Sequence, residues 1–284
     1  MLVLAGIVTY NPNIELLQRN IASVLKQIDF LVIVDNCSDN RYEISRFQDD
    51  RVHIINNDNN LGVAHALNQE LYFAFEKGYE WVLTLDQDTI IPDNLLSEYE
   101  PYSKQNDVGM LTCRIQDRNL DQHNDQPMND YDYVSVTITS GALLRVNAWK
   151  TVNGFCEEMF IDSVDHDMCL SLLEHRYKII RINSVILNHA VGRSSFIISF
   201  GKRYQIYNES PLRNYYQFRN SIYLLKRHRR LVLDSYRCGL LGFIFSRVNR
   251  AYLICRYEVH PFQKLHMIVM GVWHGIIGKY GKYN

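Results

Sequence analysis

The sequence predicts an α/β protein: a mostly parallel central sheet flanked by helices, with a helical extension at the C-terminal end. Three observations carry that prediction. Apolar runs of strand length alternate with segments of helical period over the first 90 residues. Each apolar run ends in a polar loop. From residue 211 onward the chain turns basic, aromatic and helical in pattern. The β-α-β order calls for parallel strands with helices on both faces.

Leu2 to Val8 is a continuous apolar run, as expected of a strand covered on both faces. Thr9-Tyr10-Asn11-Pro12-Asn13 breaks it, and Ile14, Leu17, Ile21, Val24 and Leu25 then recur at helical spacing up to Gln27. Phe30 to Val34 reads as a second strand ending in Asp35-Asn36, and Val52 to Ile55 as a third. Asn59-Asn60-Leu61-Gly62 is a turn, and Val63 to Lys77 a helix closed by Gly78. Trp81 to Leu85 is the fourth strand and runs into Asp86-Gln87-Asp88. Beyond Pro92 the pattern loosens. Residues 116–132 read as a polar, acidic surface loop, Val134 to Thr139 as a strand entering Ser140-Gly141, and Asp165 to His175 as a helix. Lys178 to Leu187 is one strand or two, residues 196–210 are irregular, and a helical tail starts at Leu212.

With 47% hydrophobic residues, 21% charged residues and six prolines in 284, the chain reads as a folded globular protein. Its size suits one large domain, or a domain with an appended piece. The six cysteines lack any CxxC pair or zinc spacing and are expected to be reduced thiols in a cytosolic protein. The apolar start has no basic leader or cleavage site, and no stretch of about 18 uncharged apolar residues follows, which argues against an integral membrane protein.

The formal net charge of −1 conceals an asymmetry. Residues 211–284 carry 13 Lys/Arg against two acids, a balance of +11, while residues 1–210 carry 17 against 29, a balance of −12. Such a tail can be a solvated face or can dock on the acidic body. Its mixture of basic and aromatic residues on helical segments favours an anionic membrane surface. No nucleic-acid-binding motif accompanies the charge, so nucleic acid is not expected.

In open α/β sheets ligands bind beyond the carboxyl ends of the strands. Thr9, Asp35 and the pair Asp86/Asp88 all fall at such ends, so three segments converge on one crevice. Two hard carboxylate ligands one residue apart can hold Mg²⁺ or Mn²⁺ shared with a substrate diphosphate.

Several stretches occur together in a recognisable order. They are Gly6-Ile7-Val8-Thr9-Tyr10-Asn11, Val34-Asp35-Asn36, Asn60-Leu61-Gly62, Leu85-Asp86-Gln87-Asp88, Thr139-Ser140-Gly141, Gly154-Phe155, Phe160 to Cys169, His189 with Gly192 and Ser194, and Tyr215 to Asn220. In this order the chain resembles the inverting GT-A glycosyltransferases of family 2, and among them the bacterial rhamnosyltransferase-like members, over roughly residues 1–225. The resemblance implies a GT-A catalytic domain over 1–210, with a nucleotide-binding half at about 1–90 and an acceptor and base half at about 91–210, followed by the extension at 211–284.

It also implies a role for each matching position. Thr9 and Asp35 would border the base and ribose, Asp35 accepting from a pyrimidine N–H. Asn36, Asn60 and Gly62 would lie beside the nucleoside, the glycine permitting close backbone approach. Asp86 would touch ribose or diphosphate, Asp88 would bind the metal, and His189 could complete its shell. Ser140 and Gly141 would line the sugar pocket, and Arg219 could offset charge on the departing diphosphate. Asp165 matches the catalytic base. Val164 stands where many relatives carry an acid, which leaves Asp162 and Asp167 open as alternatives.

The implied chemistry is sugar transfer with Mn²⁺ or Mg²⁺, from a dTDP-sugar (rhamnose above all) or a UDP-sugar. The UDP-linked alternatives are galactofuranose, glucose or N-acetylglucosamine. The implied acceptor is a lipid-linked saccharide at the inner face of the cell membrane, in surface polysaccharide synthesis (O-antigen or capsule). A catalytically silent scaffold that binds nucleotide or glycan is the reading from a different class. Oligomeric state is not legible in the residues.

Overall fold

A computed structural model describes residues 1–117, 129–189, 195–199 and 201–283. Much of the polar stretch expected as a loop at 116–132 lies outside them. Two compact units form. One comprises Met1–Gln116, Asn124–Phe160 and Val164–His189; the other comprises Asp117–His123, Ile161–Ser163 and Ala190–Asn284.

The first unit is built on a sheet. In chain order it holds β1 (Val3–Thr9), α1 (Ile14–Val24), β2 (Leu31–Asp35), α2 (Arg41–Ser45), β3 (Val52–Asn56), α3 (Val63–Glu76) and β4 (Trp81–Asp86). There follow α4 (Leu95–Ser103), β5 (Val108–Asp117), β6 (Tyr131–Tyr133), β7 (Ala142–Arg145), α5 (Val146–Thr151), α6 (Val164–Glu174) and β8 (Lys178–His189). The eight strands run in the order β3-β2-β1-β4-β7-β5-β8-β6. The first four are parallel, with Ile7 paired to Ile33 and to Leu85; β7 is antiparallel to β4 and β5, and β6 is antiparallel to β8. The sheet is therefore parallel in the half read most clearly from sequence and antiparallel beyond it.

Period-two alternation decides which residues face which layer. Ala5, Ile7, Ile33, Leu83 and Leu85 join Leu17, Ile21 and Val24 of α1 and Leu95 and Tyr99 of α4 in one buried cluster. The Asn13 side chain caps α1 by accepting from Leu16 N at 3.1 Å.

Two expectations are corrected and one choice is decided. Residues 134–139 are not a strand; β7 begins at Ala142. Their backbone oxygens go elsewhere: the carbonyl of Thr139 accepts from the Thr84 hydroxyl at 2.6 Å and from Ala142 N at 3.0 Å, and Gly141, at φ +79°, turns the chain into β7. Lys178–His189 is one continuous strand. Finally, the stretch read as irregular forms a hairpin, β9 (Ser195–Ser199) with β10 (Lys202–Ile206), turning at Gly201 with φ +71°.

The second unit holds that hairpin and four helices: α7 (Pro211–Arg227), α8 (Arg229–Asp234), α9 (Gly239–Tyr257) and α10 (Pro261–Ile277). Ser210 caps α7 by accepting from Arg213 N at 3.2 Å, with Pro211 at the first helical position, where its missing N–H is not needed. In α10, Gly271 and Gly275 face α7: a Cβ at Gly271 would stand 2.4 Å from the Tyr215 carbonyl oxygen, and one at Gly275 would stand 2.9 Å from that of Arg219.

Candidate active site

The carboxyl ends of β1, β2 and β4 lie side by side, with Thr9 paired to Asp35 and Val8 to Asp86. Thr9 and Asp35 are fully buried. The Asp35 carboxylate accepts from the Thr9 hydroxyl at 3.0 Å, from Ser38 N at 3.0 Å and from the Ser38 hydroxyl at 2.5 Å, and pairs with Arg41 Nε at 3.5 Å. Its oxygens thus hold the β2–α2 loop in place. Asn36 extends the network: its Oδ1 accepts from Leu61 N at 3.0 Å, and its Nδ2 donates to Asn60 Oδ1 at 3.1 Å. Asn60 Oδ1 also accepts from Gly62 N at 3.0 Å.

Gly62 has φ +90°, and a Cβ there would stand 2.5 Å from the Phe160 carbonyl oxygen, which accepts from Val63 N at 2.7 Å. The close approach that demands glycine is therefore to Phe160.

The Asp86-Gln87-Asp88 turn is braced from three sides. Asn20 Nδ2 donates to the Asp86 carbonyl at 2.8 Å, the Ser140 hydroxyl accepts from Asp86 N at 3.1 Å, and Gln87 Oε1 accepts from Tyr10 N at 2.9 Å. Ser140 also bonds the Thr89 hydroxyl at 2.6 Å, and the Gly141 carbonyl accepts from Tyr99 OH at 2.8 Å. Ser140, expected along the sugar, is thus tied to the loop that carries Asp86, while Gly141 is tied to α4. Asp88 is half-buried and has no hydrogen-bond or ion-pair partner among the described residues.

Beneath this turn lies a side chain that the sequence reading missed. Glu70 of α3 is fully buried, and a Cβ on Gly6 would overlap its carboxyl at 2.3 Å. Burial, and then the negative charge of Asp86, hold the Glu70 carboxyl well above the usual carboxylate range. Neither of its oxygens has a hydrogen-bond partner among the described residues.

The three candidate bases have different surroundings. Asp165, in the first turn of α6, is half-buried, and its Oδ1 accepts from His166 N at 2.9 Å. Asp167 is fully buried. Asp162 belongs to the second unit, where Arg213 Nη2 pairs with it at 3.1 Å and Asn220 Nδ2 donates to the Ile161 and Asp162 carbonyls, both at 2.8 Å. Asp162 and Ser163 have φ of +65° and +62°, a backbone that side-chain-bearing residues rarely adopt.

Arg219, expected near the diphosphate, is instead fully buried in the second unit. It donates to Asn220 Oδ1 at 2.9 Å and lies 4.8 Å from the centre of the Tyr216 ring. His189 closes β8, but its side chain, like Gly192 and Ser194, lies outside the described residues. Among the described residues no group of three or more His, Cys, Asp or Glu converges to hold a metal. Burial pushes the Cys113 thiol up to about 11 and the Cys169 thiol up to about 12, so neither is a ready thiolate nucleophile.

The sequence reading also missed Ser38, Gln87, Asn20 and Asn68. Ser38, three residues after Asp35, fits the local pattern of an aspartate capping the turn that follows it. Asn68 had no such signal, since its partners Phe155 and Glu157 are 87 and 89 residues away.

A mixed sheet in the order β3-β2-β1-β4-β7-β5-β8-β6, flanked by helices and parallel in its first half, is the architecture of the GT-A fold. The glycosyl transferase family 2 profile matches residues 5–167, more than half of the chain, and the protein belongs to that family of glycosyltransferases. It is 27% identical over 300 residues to the dTDP-rhamnosyl transferase RfbF of Shigella flexneri, covering 99% of this chain and 98% of that protein. Among solved structures it resembles the mannosyltransferase PcManGT of Pyrobaculum calidifontis in complex with GDP-Man and Mn²⁺. The TM-score is 0.61 at 15% identity, covering 98% of this chain and 87% of that one. It also resembles TarS residues 1–349 of S. aureus in complex with UDP-GlcNAc, with a TM-score of 0.63 at 16% identity, covering 98% and 84%.

Proposed function

We propose that this glycosyltransferase moves rhamnose from dTDP-rhamnose, with inversion, onto a lipid-linked saccharide at the inner face of the cell membrane, in O-antigen or capsule synthesis. The observation that supports it most is the end-to-end similarity to a dTDP-rhamnosyl transferase. The +11 charge of residues 211–284 supports placing the acceptor step at an anionic membrane.

Asp165 acts as the base. Among the three candidate aspartates it is the one that is neither ion-paired to an arginine nor fully buried. It takes the proton of the acceptor hydroxyl as the acceptor oxygen bonds to the anomeric carbon and the bond to the nucleoside diphosphate breaks on the opposite face. Thr9, Asp35, Asn36, Asn60 and Gly62 form the rigid floor for the nucleoside, and Ser140, which with Gly141 lines the sugar pocket, fixes the turn that bears Asp86. Asp88 would hold Mn²⁺ or Mg²⁺. A site with one or two protein carboxylates suits such an ion when substrate phosphate oxygens and water complete its shell, and the carboxylate of Asp88, which has no partner among the described residues, fits that role. When bound, the ion supplies charge stabilisation for the leaving diphosphate.

The test measures transfer with Mn²⁺ across dTDP-rhamnose and the UDP-linked sugars, for wild type and Asp165→Asn. We expect dTDP-rhamnose alone to support turnover and to raise the melting temperature. Loss of the base should lower turnover by about 10²–10⁴-fold while donor binding persists. Turnover with a UDP-sugar instead would overturn the donor, and retained transfer in Asp165→Asn would remove it as base. Nucleotide binding without transfer from any donor would restore the scaffold reading.

A further inference from the structure

The C-terminal unit buries polar as well as apolar side chains and leaves further apolar ones exposed. In α10 the residues turned to α7 and its neighbours are Lys264, Ile268, Gly271, His274 and Gly275, all buried. At about 3.6 residues per turn the opposite side of the helix carries Phe262, Leu265, Val269, Trp273 and Ile276, all exposed. Phe262 is 86% exposed and Trp273 is 55% exposed. An apolar helix face of this length is normally covered. In α9 the same spacing recurs in Leu241, Ile244, Phe245, Val248 and Tyr252, again exposed, while Phe243, Leu253 and Ile254 are buried.

The charges decide what covers these stripes. The single Lys, Arg, Asp or Glu of α10 is Lys264, which is buried with Glu258, Nζ to Oε2 at 2.8 Å. After Asp234 the chain has no acid except Glu258, so its last 50 residues present no exposed carboxylate side chain. Cations stand at the ends of the stripes instead. Arg237 precedes α9, Arg256 follows Tyr252 by one helical turn, and Lys279 follows α10; all three are exposed. Apolar side chains framed by long cationic ones match the boundary between acyl chains and anionic headgroups, where the cations reach the phosphates. A second copy of the same face would set cations against cations.

We infer that the exposed faces of α9 and α10 insert side by side into the interfacial layer of an anionic phospholipid bilayer, with Phe245, Phe262 and Trp273 as anchors. The inference deepens the membrane reading of the basic tail and rests on it. No helix among the described residues is long and apolar enough to cross a membrane, so these helices lie in the surface.

Trp273 reports directly, because the other two tryptophans, Trp81 and Trp149, are buried in the sheet unit. The full chain is mixed with phosphatidylethanolamine vesicles, with and without phosphatidylglycerol. With phosphatidylglycerol, Trp273 emission should shift to the blue and be quenched by bromine on the acyl chains. Phe245→Glu/Phe262→Glu should weaken partitioning by roughly tenfold or more while the melting curve stays that of the wild type, since both side chains are exposed. Salt-sensitive binding with unshifted Trp273 and no effect of the double substitution would overturn insertion and leave the electrostatic reading standing. Absence of binding to either vesicle would overturn both. A lipid-free, concentration-dependent Trp273 shift with dimers in sedimentation would assign the face to a second copy.

Discussion

The two units bury their polar side chains in opposite ways. In the sheet unit Thr9, Asp35, Asn36 and Ser140 are buried at strand ends, beside strands whose buried side chains are mostly apolar. In the C-terminal unit the buried set includes Arg219, Lys264, His274 and Glu258, around a small apolar cluster of Phe218, Ile254 and Ile268. The first arrangement lets the hydrophobic layers hold the fold, so the polar network at the edge is available for a ligand. The second gives hydrogen bonds and ion pairs the task of positioning the helices, because much of the apolar surface faces outward. Buried ionic groups are costly to desolvate and are most sensitive to the loss of a single partner.

That contrast predicts unequal responses to removing a carboxylate. Glu258 accepts from Lys264 at 2.8 Å and pairs with Arg250 at 3.4 Å, both carboxylate oxygens being engaged. Glu258→Ala leaves a buried ammonium without its partner and should cost about 3–5 kcal/mol in the unfolding of the C-terminal unit. The exposed pair Lys26–Asp93, at 3.2 Å, should contribute only about 0–1 kcal/mol when Asp93 becomes Ala. Urea denaturation followed by amide exchange in each unit measures both. Equal effects would erase the distinction.

Close packing through glycine sharpens it further. Gly271→Ala places a methyl against the Tyr215 carbonyl and should separate α7 from α10 at a cost of about 1–3 kcal/mol. Gly62→Ala meets the Phe160 carbonyl in a backbone of φ +90°, so it should destabilise the sheet unit and weaken donor binding together. Donor titration by calorimetry separates the two, since Gly271→Ala should leave the binding constant unchanged.

The smallest effect is a slope. Because the folded state holds the Glu70 proton that the unfolded chain releases above its ordinary value of 4.5, stability should fall as pH rises through and above that value. Glu70→Gln removes this dependence, so the variant should gain on the wild type as pH rises above 4.5, and matched melting curves over that window would measure the gain. A constant difference between the two would show that Glu70 does not titrate in this window.

The residues at the strand ends were legible because loops that follow parallel strands break an apolar run sharply: Thr9, Asp35 and Asp86 stand where the run stops. The antiparallel half was read less well. The 134–139 stretch has the alternating pattern of a strand, yet Thr84 and the Gly141 turn claim its backbone. Glu70 gave no local signal at all, since an acid on a helix reads as a solvated one until the facing Gly6 shows that it points into the sheet.

The sequence by itself determined the alternation of strands and helices, the order of the motifs and the charge division at residue 211, because all three depend on near neighbours along the chain. Only the tertiary structure decided which of three aspartates stays accessible, that Arg219 is enclosed, and that α9 and α10 turn apolar faces outward. Those outcomes depend on groups far apart in sequence, such as Arg213 with Asp162 and the Tyr207 backbone with Glu258. Local periodicity marks which face of a helix is apolar. Long-range packing decides whether that face is covered.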